Sequence, residues 1–200
     1  TPSVAVLAEE PALEAFAAAL RARLDPNSSS VGLTPVQPAT LCLAVTRNGL
    51  ELRDLLAPRD RPLTIDWPAD PSLMRRRGAR QLLARAIGWP GSTAGSGWLI
   101  VDTTAGLGRD AFLLVMLGAQ VVAVERSPVV AALLRDAWRR ALLDPVAGPM
   151  VGARLSILEG DARDWLSRLP TPDVVYLDPM YSASERSALS AKPLRLLGRL

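Results

Sequence analysis

Apolar positions along this chain fall into short continuous runs alternating with helically spaced repeats, and that pattern predicts the elements before composition is considered. Val4 to Leu7 reads as a strand, Pro11 to Leu24 as an alanine-rich amphipathic helix, and Asp25 to Ser30 as a polar connection. Leu41 to Val45, Leu50 to Leu55 and Leu63 to Asp66 read as strands, with Arg47-Asn48-Gly49 as a hairpin turn. The alternation Leu50-Glu51-Leu52-Arg53 predicts one covered face and one wet face. Gln81 to Ile87 is expected to be helical, and the Gly, Ser and Pro of Gly88 to Gly97 separate this N-terminal region from the rest of the chain.

From Trp98 the pattern changes. Trp98 to Val101 is a continuous apolar run, as expected of a strand buried on both faces of a parallel sheet. Gly106 and Gly108 come next, then a helix from about Arg109, a strand Val121 to Val124, and a helix Pro128 to Ala141. Arg154 to Leu158 is expected to be a third strand, Ala162 to Leu169 a short helix, and Val174 to Leu177 a fourth strand. Such strand and helix alternation argues for an α/β protein with a parallel sheet. The expected organisation is a small α/β lobe with a basic segment over residues 1–90 and a parallel-sheet core over residues 91–200.

Composition narrows the classes. Of the 200 residues 49% are apolar, enough for a packed core, and no run is long and charge-free enough to span a membrane. A soluble protein without a membrane partner is therefore expected. The opening residues lack the basic segment of a secretory signal, and Cys42 is the only cysteine, so a reducing, cytoplasmic location is expected. Histidine is absent, which excludes imidazole bases, Ser-His-Asp triads and ordinary His-ligated zinc; no metal site is expected. Of 23 basic residues only Lys192 is lysine. Arg75, Arg76, Arg77, Arg80 and Arg85 lie together without an intervening acid, a candidate nucleic-acid surface or a solvated helix face.

The candidate chemistry centres on the glycine turn. Glycine allows positive φ and close approach of a ligand to the backbone, and Glu125 at the end of the next strand is placed to reach ribose hydroxyls. Gly106-x-Gly108-x-x-Ala111 also fits a dinucleotide fingerprint, so a nicotinamide-dependent oxidoreductase stands as an alternative. Charge separates the two. Asp102 and Asp110 would repel a pyrophosphate on the helix N-terminus, whereas S-adenosylmethionine carries no phosphate and brings a sulfonium and an ammonium group. Asp161, at the end of the third strand, is a candidate acceptor for an adenine amino group, or simply the cap of the next helix.

The fourth strand ends in Asp178-Pro179-Met180-Tyr181. Methyltransferases acting on exocyclic amino groups carry Asp/Asn-Pro-Pro-aromatic at this place. There a side-chain oxygen and a backbone carbonyl accept hydrogen bonds from the target NH2, and the ring stacks on the extruded base. Asp178, Pro179 and Tyr181 are thus the candidate catalytic residues; Met180 departs from the double proline.

Three blocks carry a closer resemblance: Asp102 to Phe112, Glu125 to Leu134 and Val174 to Tyr181, with Ser187-Ala188-Leu189 shortly after. They resemble the ribosomal RNA small-subunit methyltransferase J family. The resemblance implies a Rossmann-like class I methyltransferase fold and transfer of a methyl group from S-adenosylmethionine to the exocyclic N2 of a guanosine in 16S ribosomal RNA. It implies the RNA, or the small ribosomal subunit, as partner, and leaves the oligomeric state open. By the family's pattern the cofactor would contact Arg109, Asp110, Glu125, Arg126, Asp161, Ala162 and Asp178. Two departures accompany it. Asp161-Ala162 replaces a pair of small hydroxyl residues, and the sequence supplies only the first four strands of a sheet ordered 3-2-1-4-5-7-6. A C-terminally truncated sheet is therefore expected, and a non-catalytic RNA-binding fragment stands as a further alternative.

Overall fold

A computed structural model describes residues 4–24, 39–70, 73, 77–90, 97–178 and 196–200, with the backbone alone for 77–81. Packing divides the chain into two units, Thr1–Thr64 with Ser182–Leu200 and Ile65–Tyr181. Residues 65–90, expected with the N-terminal lobe, therefore pack with the glycine-turn unit.

In the first unit, β1 (Val4–Ala8), a 3-10 turn (Pro11–Leu13), α1 (Glu14–Leu24), β2 (Leu41–Thr46) and β3 (Gly49–Asp54) come in that order. The sheet runs β1-β2-β3, with β1 parallel and β3 antiparallel to β2. Central β2 is buried at every position, and β3 buries Leu50 and Leu52 while Glu51 and Arg53 reach the wet face. Glu51 and Glu9 both pair with Arg53 at 2.6 Å. The expected strand at Leu63 to Asp66 does not form. Only Leu63 pairs, exchanging both backbone bonds with Leu52 at 2.8 and 2.9 Å. Pro62 has no N–H to donate, which limits the ladder to that one residue pair.

The second unit contains α2 (Arg77–Ala86), β4 (Leu99–Asp102), α3 (Arg109–Leu117), β5 (Gln120–Glu125), α4 (Pro128–Ala141), α5 (Gly148–Arg154), β6 (Leu155–Glu159), α6 (Ala162–Leu166) and β7 (Val174–Tyr176). All its strand pairs are parallel, in the order β6-β5-β4-β7. Numbered from β4 as the first strand, this is the order 3-2-1-4, the one the resemblance implies. Central β4 and β5 bury Ile100, Val101, Val121 and Val124 against Phe112, Leu114, Leu133 and Leu134 of the helices. A parallel arrangement puts every strand's carboxyl end on one edge, where ligands of such sheets bind.

The sequence pattern does not predict helix α5, since Gly148-Pro149-Met150-Val151-Gly152 offers little helical periodicity. Gly148 is needed there, because a Cβ would stand 2.5 Å from the Leu142 carbonyl oxygen. Consequently β6 starts at Leu155, and Arg154 ends the helix instead, donating to the Gly118 carbonyl at 2.8 Å. Helix α6 ends at Leu166, shorter than expected, and Ser127 caps α4 at the Pro128 start read from the sequence.

Candidate cofactor and active site

The glycine turn is built on a tryptophan from outside it. Gly106 and Gly108 have φ of +53° and +69°, a backbone that L side chains rarely adopt. At Gly108 a Cβ would also meet Leu134 Cδ2 and Trp67 Cζ2, each at 2.7 Å. Trp67 lies beneath the turn, donates from Nε1 to the Leu107 carbonyl at 2.9 Å, and stacks on Phe112 with centroids 5.6 Å apart. Arg140 holds the segment before Trp67, donating to the Ile65 carbonyl and pairing with Asp136 at 2.9 Å.

Glu125 closes the turn from the neighbouring strand. Its Oε2 accepts from the Gly106 N–H at 2.9 Å, and its Oε1 accepts from the Ser127 N–H at 2.7 Å. Burial pushes its carboxyl above the ordinary range, against the backbone bonds from Ser127 and Gly106 that pull it down. Two of its lone pairs are used in this way, so the carboxylate both shapes the turn and retains acceptor capacity. A cavity of about 550 Å³ opens beside it, lined by Thr103, Thr104, Gly106, Glu125, Arg126 and Asp161 among others.

Asp161 caps α6, accepting from the Arg163 N–H at 2.9 Å, and its carboxylate also pairs with the Arg163 guanidinium at 2.6 Å. That guanidinium holds the Asp161 carboxyl well below the usual range. Ala162 and Arg163 line the same wall of the cavity. The two roles read for Asp161, cap and cavity wall, fall on one side chain.

Asp102 sits at the end of β4 with only 2% of its surface exposed. Burial pushes its carboxyl up to about 7, and the charges of Asp110, Glu125 and Asp178 add to the rise against a single bond from the Thr104 N–H. Four acids thus share this end of the sheet. Such a set favours a cationic ligand and disfavours a polyanionic one.

The end of β7 is stitched to the end of β4. The Tyr176 carbonyl accepts from both the N–H and the hydroxyl of Thr103, at 3.0 and 2.9 Å. Thr104 Oγ1 accepts from the Asp178 N–H at 2.8 Å, and the Tyr176 hydroxyl donates to Asp110 Oδ2 at 2.7 Å. The Asp178 side chain itself is exposed.

Gly106, Glu125, Arg126, Asp161 and Ala162 therefore line one cavity, with Asp102 buried beside its turn. Gly108 shapes that turn from below. Arg109 points elsewhere, pairing with Asp70 at 3.1 Å. Pro179, Met180, Tyr181 and Ser187 to Leu189 lie outside the described residues, as do Arg75, Arg76 and the side chains of Arg77 and Arg80; Arg85 is exposed. Sequence reasoning missed Trp67, Thr103, Thr104 and Tyr176. The Thr-Thr between Asp102 and Ala105 was the one legible signal, since hydroxyls at a strand end bond neighbouring backbone. Among the described residues no group of three or more His, Cys, Asp or Glu is placed to hold a metal, and no helix is long and apolar enough to cross a membrane.

A parallel sheet in this order, with a glycine turn, a buried acid and an acidic strand-end around one cavity, is the architecture of an S-adenosylmethionine-dependent methyltransferase. A family model described as "Putative SAM-dependent methyltransferase" matches residues 27–200, and a SAM-dependent methyltransferase structure from Neisseria gonorrhoeae is similar with a TM-score of 0.67 and 33% identity, covering 90% of this chain and 70% of that one. Among named relatives, ribosomal RNA small subunit methyltransferase J of Aeromonas hydrophila is 41% identical over 199 residues, covering 98% of this chain and 75% of that protein. Its counterpart from Aeromonas salmonicida is 45% identical over 162 residues, covering 79% of this chain and 64% of that protein. The chain belongs to the ribosomal RNA small subunit methyltransferase J family, and its match spans about two thirds to three quarters of these relatives' length.

Proposed function

We propose that this chain carries the cofactor site and the amino-group acceptor of an enzyme that methylates the exocyclic N2 of a guanosine in 16S ribosomal RNA, in the cytoplasm. The observation that carries the reading is the cavity beside Gly106 and Glu125, with Asp102, Asp110 and Asp178 around the same strand ends. S-adenosylmethionine, when bound, supplies an electrophilic methyl group on a cationic sulfur.

The donor set fits that group. Glu125 has acceptor capacity left for ribose hydroxyls, and Asp161 with Ala162 forms the wall expected at the adenine end. Asp102 and Asp110 supply negative charge for the cationic end, and Arg109 and Arg126 complete the contacts that the family pattern implies. No phosphate cradle competes, because α3 begins with Arg109-Asp110 and the aspartate would oppose an anion at the helix N-terminus.

Asp178 acts on the substrate. Its carboxylate and a backbone carbonyl of the Asp178-Pro179 segment accept the two N–H groups of the target amine, and Tyr181 stacks on the extruded base. These bonds turn the nitrogen lone pair toward the cavity, so the contribution of the chain is largely orientation for in-line displacement.

Calorimetric titration with S-adenosylhomocysteine, with NADH in parallel, tests the reading. Saturable binding of the first alone is expected, together with methyl transfer to small-subunit RNA at guanine N2. Binding of NADH alone, or methylation at another atom, would overturn it.

A further inference from the structure

The cavity and the substrate acceptor share one hydroxyl. Thr104 lines the cavity, and its Oγ1 accepts from the backbone N–H of Asp178 at 2.8 Å, across 74 residues of sequence. A threonine hydroxyl that accepts from this N–H still has its own hydrogen to donate, and the cavity is the space it lines. Thr103, one residue back, secures the same crossing with two bonds to the Tyr176 carbonyl, at 3.0 and 2.9 Å. The register of β7 on β4 ends at Asp102 with Tyr176, so beyond it the height of Asp178 above the sheet is set by these threonine bonds alone among the described residues.

We infer that Thr104 is a positioning residue: its hydroxyl sets the main chain of Asp178 relative to the cavity, so that the acceptor for the target amine and the methyl donor are registered by a single side chain. The inference rests on the reading of Asp178 under Proposed function. Physically it stems from the exposure of Asp178. An exposed strand-end residue has no packing to hold it, and orientation is the main thing this site has to supply. Filling the cavity with a group that accepts the Thr104 hydrogen would polarise the hydroxyl and strengthen its bond to the Asp178 N–H. The acceptor would then be held most firmly when the cavity is filled.

Thr104→Val, which keeps the shape and removes the hydroxyl, is compared with Thr104→Ser, which keeps the hydroxyl. The readouts are amide hydrogen exchange at Asp178 and steady-state kinetics on small-subunit RNA. In Thr104→Val the Asp178 amide is expected to exchange faster by about tenfold or more, as for a solvated amide that loses its acceptor. Its kcat should fall on the order of tenfold to a hundredfold, with the KM for S-adenosylmethionine within about threefold, the signature of lost orientation rather than lost binding. Thr104→Ser should restore both readouts. An unchanged Asp178 amide in Thr104→Val, an unchanged kcat despite faster exchange, or equal losses in the valine and serine variants would each overturn the inference. If the unaltered chain binds S-adenosylhomocysteine and protects the Asp178 amide through Thr104 but transfers no methyl group, the functional reading fails, and the positioning role falls with it.

Discussion

The Tyr176 hydroxyl donates to Asp110 Oδ2 at 2.7 Å, joining the last residue of β7 to the first turn of α3 across 66 residues of sequence. Burial, and then the bond to Asp110, push the Tyr176 phenol up, so it remains a donor at every pH at which the protein folds. Tyr176→Phe deletes the donor and leaves the ring. A loss of about 1–2 kcal/mol is expected in urea unfolding, for a part-buried hydrogen bond to a charged group. An unchanged midpoint would mean that the bond contributes nothing.

Trp67 and Gly108 form a second test of the turn. Gly108→Ala adds a Cβ where Leu134 and Trp67 already stand at 2.7 Å, at a φ of +69°. Either the turn opens or the tryptophan moves, and both should weaken S-adenosylhomocysteine binding as well as stability. Trp67→Ala should cost about 3–5 kcal/mol, as for other buried tryptophans. Trp67→Phe should cost less, because it loses the Nε1 bond to Leu107 but keeps part of the stacking on Phe112. A thermal melt series distinguishes the three.

Asp102 makes stability depend on pH. Its carboxyl lies at about 7 in the folded protein and near 3.8 ordinarily, so the folded chain holds the proton more tightly than the unfolded chain does. The resulting stabilisation is fully present below about pH 4 and is lost as pH rises through about 7. Asp102→Asn should therefore have a melting temperature that changes less between pH 5 and pH 8 than that of the unaltered protein. Equal slopes would place the titration on another group. A cationic ligand favours ionised Asp102, so S-adenosylmethionine binding at pH 6 should release protons, measurable as a buffer-dependent heat that Asp102→Asn abolishes.

Glu125→Ala removes the acceptor for two backbone N–H groups and the carboxylate beside the cavity. S-adenosylhomocysteine affinity should fall by on the order of 1–3 kcal/mol, the scale for a lost hydrogen bond to a charged group. An unaltered dissociation constant would show that the ribose is held elsewhere.

Asp178→Ala should abolish methyl transfer, leave the unfolding midpoint within about 0.5 kcal/mol, as for an exposed side chain, and leave S-adenosylhomocysteine binding nearly intact. Full turnover in this variant would remove Asp178 from the acceptor role.

What the sequence determined by itself was local. The continuous apolar runs of β4 and β5, the Ser127-Pro128 start of α4, the glycines between β4 and α3, and the acids at strand ends are all set by residues close together in the chain. Periodicity and cap chemistry report such features directly. Strand alternation also carried the parallel sheet, and the three family blocks carried its order. Local signals conflict in two places: the two glycines and proline of α5 hide a helix, and Leu63 to Asp66 has the pattern of a strand that Pro62 leaves with a single paired residue. The tertiary structure decided what the strand ends touch. Trp67 beneath Gly108, Tyr176 on Asp110, Thr104 on Asp178 and the rise of the Asp102 carboxyl to about 7 join residues 40 to 74 positions apart, or depend on burial among such residues. No pattern within one segment encodes them, because a hydrogen bond or a shared low-dielectric surrounding depends on which strand lies beside which, and only the folded sheet sets that.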